Sequence, residues 1–148
     1  MKYLFLFLTV SILTLTACSP ATGIRVSKAW ARPTARGETG AVYFLLQNHS
    51  AKAEELTGVS SDVADVVEMH QTSMDRDIMR MRQVMSVPIE ANGSVEFAPG
   101  GYHAMLVEIK QDLNVGDEIQ ITWHFSDHED ITMNIPVREH DDDFMNGH

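Results

Sequence analysis

The sequence predicts an all-β domain, and three observations carry that prediction. Short stretches rich in Val, Ile, Phe, Tyr and Trp recur along the chain. Each is bounded by Gly, Pro, Asn or Ser, the chemistry of tight turns. Between them no apolar stripe of helical period is visible, and such a pattern belongs to a sandwich or barrel. Taken in order, Ile24–Arg32 alternates loosely and stops at Pro33, and Arg36–Gly40 reads as a loop. Ala41–Gln47 (AVYFLLQ) is β-branched and aromatic and ends at Asn48-His49-Ser50. Leu56–Val59 follows, and Val63–His70 fits either a short helix or a strand. Ile78–Val84 alternates Ile-Met-Arg-Met-Arg-Gln-Val, which as a strand puts Met79 and Met81 on one face and Arg80 and Arg82 on the other. Asn92-Gly93 predicts a tight hairpin turn, and Pro99-Gly100-Gly101 a second turn from which Tyr102–Ile109 leaves as a strand. Gly116-Asp117 opens Glu118–Phe125, and Ile131–Val137 closes the domain.

The chain has 148 residues, with 11 Lys+Arg against 21 Asp+Glu, a net charge of −10. That balance argues against a nucleic-acid partner, because phosphate backbones are bound by clustered cations. With 44% hydrophobic residues it is too apolar for wholesale disorder. One Cys rules out thiolate clusters, a CxxC redox pair and an intramolecular disulfide, while nine Met and seven His stand out.

The ends read differently from the middle. Lys2 precedes an apolar run from Leu4 to Ala17, too short to span a bilayer comfortably and flanked like a secretory signal. The run ends Leu15-Thr16-Ala17-Cys18, which resembles the bacterial lipobox and implies lipidation at Cys18. The expected organisation is a signal peptide at 1–17, an anchor and linker at 18–23, a β domain at 24–138, and an acidic tail at 139–148 that carries His140, Met145 and His148. The protein is then expected outside the cytoplasm, held to the membrane through its lipid alone.

The chemistry concentrates in His and Met. In His103-x-Met105 the two side chains point the same way on a strand, so an imidazole and a thioether converge. His70 and Met81 are the further candidates. Thioethers are soft, carry no proton and form no disulfides; with imidazole they select Cu(I), whereas Zn(II) takes Cys, His or carboxylate. Outside the cytoplasm a thiolate site would be oxidised. Spacing alone does not separate Met81 from Met79.

At this point the sequence resembles the periplasmic copper chaperones called PCu(A)C. Their motif is His, ten residues, Met, twenty-one residues, His, any residue, Met; here it falls on His70, Met81, His103 and Met105. Ala29-Trp30-Ala31-Arg32, Met79-Arg80-Met81-Arg82 and Pro99-Gly100-Gly101-Tyr102-His103 also look like family signatures, and the likeness runs from about Ile24 to Val137. One departure is Gln71 after the first His, where Met is frequent. The resemblance implies a cupredoxin-like β-sandwich or Greek-key barrel, one Cu(I) held by those four side chains, and no catalysis. It also implies delivery toward a haem-copper terminal oxidase or another copper-accepting protein. The family's His- and Met-bearing tails point to a second site for Cu(II) at His140, Met145 and His148, against the alternative of a solvated acidic terminus. A blue-copper carrier would need a Cys thiolate beside two His, and no nucleophile–base motif is present. A copper-sequestering lipoprotein needs the same ligands as a delivering one, so that alternative stays open.

Overall fold

In the computed structural model, which describes residues 23–76 and 78–139, ten β-strands build two sheets. They are β1 (Ile24–Ala31), β2 (Gly40–Asn48), β3 (Glu54–Ser60), β4 (Ala64–Asp75), β5 (Ile78–Gln83), β6 (Val87–Ile89), β7 (Ser94–Phe97), β8 (Tyr102–Ile109), β9 (Glu118–Phe125) and β10 (Ile131–Pro136). A six-stranded sheet runs β1-β2-β7-β8-β4-β5, and a four-stranded sheet runs β10-β9-β3-β6. Cys18, His140, Met145 and His148 lie outside the described residues.

Period-two alternation makes the sandwich. On β9 the odd positions Ile119, Ile121, Trp123 and Phe125 are buried, and Glu118, Gln120, Thr122 and His124 take the other face. On β2, Val42, Phe44 and Leu46 are fully buried. The two inner faces meet through aromatic rings. Phe44, stacked on Phe97 of its own sheet with centroids 4.2 Å apart, meets Trp123 of the other sheet edge-on at 5.4 Å.

The feature that positions the site is an interruption of the large sheet. Phe97 lies opposite Phe44 and Ala104 opposite Val42, so two steps along β2 are matched by seven along the β7–β8 line. The surplus loops out as a turn in which the Gly101 N–H donates to the Ala98 carbonyl at 3.0 Å, with Gly100 at a φ of 85°. Only glycine takes that φ without strain. The chain re-enters the sheet directly before His103.

Most of the strand assignments made from sequence hold, with three refinements. Val63–His70 resolves to strand, since β4 pairs with β8 from Ala64 to Gln71. Thr72–Asp75 is strand as well, so the reversal toward Met81 is confined to the hairpin end, where Arg76 has a φ of 46°. Asn92-Gly93 does not close a hairpin: β6 pairs with β3 in one sheet and β7 with β2 in the other. The turn is real, with Asn92 at a φ of 54° and the Gly93 N–H donating to the Glu90 carbonyl at 2.9 Å, but it carries the chain between sheets. Local turn chemistry fixes the reversal and not the partner of the strand that follows.

The aromatic contact between sheets predicts a stability asymmetry. Phe44→Ala should cost about 3–5 kcal/mol in urea unfolding. Gln120→Ala, on the outward face of β9, should stay within about 0.5 kcal/mol.

Candidate metal centre

Antiparallel register gathers the predicted ligands. On β4 and β8, His70 lies opposite His103 and Glu68 opposite Met105; on β4 and β5, Thr72 lies opposite Met81 and His70 opposite Gln83. Directly opposed residues share a face, so His70, Met81, His103 and Met105 all stand on one side of the large sheet. The neighbouring positions Met69 and Ala104 point to the core, where both are buried. The His70 and His103 rings are 5.9 Å apart, tilted at 38°.

Hydrogen bonds set the two rings in opposite tautomers. His70 Nε2 is 2.9 Å from Glu68 Oε2. A carboxylate only accepts, so Nε2 carries the proton and the neutral ring's lone pair lies on Nδ1. That Nδ1 is buried and has no hydrogen-bond partner. His103 Nδ1 is 3.2 Å from the Gly101 carbonyl and donates to it, which leaves the lone pair on Nε2. A histidine that gives one N–H to a carboxylate or carbonyl and keeps the other nitrogen bare is the arrangement found around bound metals. An orphaned buried nitrogen also costs folding energy unless something accepts its lone pair. The donors that this face offers are therefore two imidazole nitrogens and two thioethers. Among the described residues no group of three His, Cys, Asp or Glu side chains is placed to hold a metal ion.

Met81, His103 and Met105 line a cleft of about 390 Å³, together with Tyr43, Thr72 and the Pro99-Gly100 turn. Arg32, also on the cleft wall, holds its guanidinium 5.9 Å from the Tyr43 ring centre. His103 is almost fully enclosed, at 8% exposure, while Met81 on the edge strand is 56% exposed. Burial pushes the His103 ring below its ordinary value of 6.5; its bond to the Gly101 carbonyl opposes that shift and the neighbouring His70 adds to it.

Met79 does not line the cleft. It sits opposite Met74, beside the hairpin end, and both are 67% exposed. Trp123 is buried between the sheets, and Trp30 is buried against Tyr43 (4.8 Å between rings) and under the Arg138 guanidinium (5.4 Å). His49 is exposed. His124 lies in the other sheet, hydrogen-bonded through its two ring nitrogens to Ser60 (2.8 Å) and Asp130 (2.7 Å). Sequence reading missed Glu68 and the Gly101 carbonyl. Glu68 stands two residues before His70 and so shares its face on a strand, a signal available only once β4 is known to be a strand.

Solved structures with this architecture exist. The copper-bound PCuAC domain from PmoF2 is 26% identical, with a TM-score of 0.66 over 80% of this chain and 95% of that one. The solution structure of CuI-DR1885 from Deinococcus radiodurans is 25% identical, with a TM-score of 0.57 over 80% of this chain and 78% of that one. Fold and ligand face together define a cupredoxin-like β-sandwich of the PCuAC type. A family model described as "Putative lipoprotein LpqE-like" matches residues 24–137, and the chain belongs to that family. Among its relatives, "Uncharacterized protein RP573" of Rickettsia prowazekii (strain Madrid E) is 40% identical over 113 residues, 73% of this chain and 62% of that protein. The chain thus spans less than two thirds of that relative's length. "Putative lipoprotein Lxx21020" of Leifsonia xyli subsp. xyli (strain CTCB07) is 31% identical over 120 residues, 80% of this chain and 72% of that protein.

The lowered His103 value has a direct consequence. Between the folded value and 6.5 the unfolded chain binds more protons at this ring than the folded chain does. This contribution to stability is therefore complete above 6.5 and is lost as pH falls through the folded value. A ring-carbon NMR titration of the metal-free protein should place the His103 midpoint below 6.5; a midpoint at or above it contradicts the burial argument.

Proposed function

We propose that this chain is an extracytoplasmic copper chaperone, holding one Cu(I) through His70 Nδ1, His103 Nε2 and the sulfurs of Met81 and Met105, and passing it on by ligand exchange. The observation that carries the reading is the pair of bare imidazole nitrogens beside two thioethers on one sheet face, with His70 Nδ1 buried and unpartnered. Soft sulfur with imidazole favours Cu(I) over harder ions. The structurally similar PCuAC domains, two of them described as copper-bound or as CuI, support the same cargo.

The exposure gradient supplies a release order. Met81 stands on an edge strand and faces solvent, whereas His103 is enclosed. An acceptor's ligand reaches Met81 first, forms one bond to the metal as the Met81 bond breaks, and leaves the imidazoles for last. The step changes neither oxidation state nor proton count until a histidine is freed. The lipobox-like segment ending at Cys18, and relatives described as lipoproteins, support a membrane-anchored location. The recipient in this reading is a haem-copper terminal oxidase or another copper-accepting protein.

The test is an anaerobic Cu(I) titration, against a competing chelator, of the chain from Ser19 onward. One tight equivalent is expected. Met105→Ala should weaken it by at least about tenfold, and Glu68→Ala by about 10–100-fold through loss of the His70 tautomer. A form ending at Val137 should keep that equivalent; loss of a further one would assign metal to His140, Met145 and His148. Absence of tight binding would sink the copper reading, and rapid passage of Cu(I) to an apo-oxidase copper domain would separate delivery from storage.

A further inference from the structure

Among the described residues four of the seven methionines (Met74, Met79, Met81 and Met85) are more than half exposed, and three of them share one face of the β4–β5 hairpin. At 67% exposure each, Met74 and Met79 bury little surface, so packing does not account for an apolar side chain at either position. Their placement is specific. The Val84 N–H donates to the Met69 carbonyl at 2.8 Å. That bond fixes the phase of the ladder: hydrogen-bonded pairs alternate with unbonded ones, and the opposed pairs His70–Gln83, Thr72–Met81 and Met74–Met79 are of the unbonded kind. In such pairs the Cα atoms approach to about 4.5 Å and the side chains are closest. Met74 and Met79 therefore present two thioethers side by side. Met79 is two residues from Met81, on the same face and about 7 Å along the strand. Each of these side chains is unbranched, with three rotatable bonds, and spans that gap readily. Of the charges flanking this pair, Asp75 and Arg80 occupy the opposite face and pair with each other at 3.5 Å.

We propose that Met74 and Met79 form a second soft-metal site, a two-thioether landing pair for Cu(I) at the hairpin end that exchanges cargo with Met81; this rests on the Cu(I) reading of the cleft. Two sulfur donors suffice for a d10 cation, which accepts low coordination numbers. Neither sulfur has a proton to lose, so loading the pair needs no change of charge on the protein. Transfer inward is a ligand exchange: a bond from Met81 sulfur to the metal forms as one from Met79 breaks, with no electron moved. The pair gives incoming metal a foothold outside the narrower cleft and gives an acceptor's ligands a place to reach it.

The test uses the chain from Ser19 onward, which contains the whole sandwich, labelled with 13C at the methionine methyls and titrated with Ag(I), a redox-inert d10 cation. Met74→Leu and Met79→Leu assign the signals; both positions are exposed, and thermal unfolding confirms that the fold is retained. The Met81 and Met105 methyls should move with the first equivalent and the Met74 and Met79 methyls together with the second. Replacing either member should weaken the response of the other by at least about tenfold, because the second sulfur adds intramolecularly. Met74 and Met79 methyls that stay still through the second equivalent, or that respond independently of one another, overturn the proposal while leaving the cleft reading intact. Movement of Met74 and Met79 with Met81 and Met105 unmoved sinks the cleft reading and overturns the exchange with Met81 that rests on it.

Discussion

The register between β4 and β8 is the constraint on which both the core and the candidate metal centre depend. A strand shows alternate side chains to opposite faces, so one register decides at once which residues are buried and which face the cleft. With His70 opposite His103, Met69 and Ala104 close the core on one side while the two imidazoles meet on the other. A slip of one residue would put imidazoles into the apolar interior and withdraw Met69 from it. The free energy of burying the core therefore also enforces the geometry of the polar face. No separate device is needed to bring the ligand strands together.

The rest of the site is local refinement of that arrangement. The loop-out between β7 and β8 opens a notch beside His103 and supplies, in the Gly101 carbonyl, the acceptor that fixes its tautomer. Glu68 does the same for His70 from within β4. The two acceptors differ in kind: one is a neutral carbonyl in a turn and the other a carboxylate on a strand. Both leave a lone pair free. The edge position of β5 then sets the contrast between a solvent-facing Met81 and an enclosed His103.

Much of this was legible in the sequence. His103-x-Met105 announces a shared face because strand period is two, and the alternation of Ile78–Val84 placed Met79 and Met81 together on one side. The core on β9 could be read directly from EIQITWHF. What the sequence withheld depends on pairing across long separations. Asn92-Gly93 marks a reversal whether the next strand joins the same sheet or the opposite one, and only the partners of β6 and β7 decide. The choice between Met79 and Met81 likewise turns on which of them stands opposite Thr72 beside the cleft and which stands near the hairpin end. The tautomers of His70 and His103 rest on acceptors whose position no spacing rule encodes.

His70 and Met81 are neighbours through a hairpin, but His103 and Met105 arrive only after β6 and β7 have crossed between the sheets. The four side chains are thus neighbours only in the folded chain. In the proposed reading, cargo bridging β4, β5 and β8 would make occupancy and folding a single equilibrium: ligand at a hundred times its dissociation constant would add about 2.7 kcal/mol to the folded state. The empty protein then visits opened forms roughly a hundredfold more often than the filled one, since each 1.4 kcal/mol is a factor of ten. A protease that cleaves opened chains would then remove empty molecules first, and the surviving pool would be enriched in loaded ones without any enzyme having to recognise the metal.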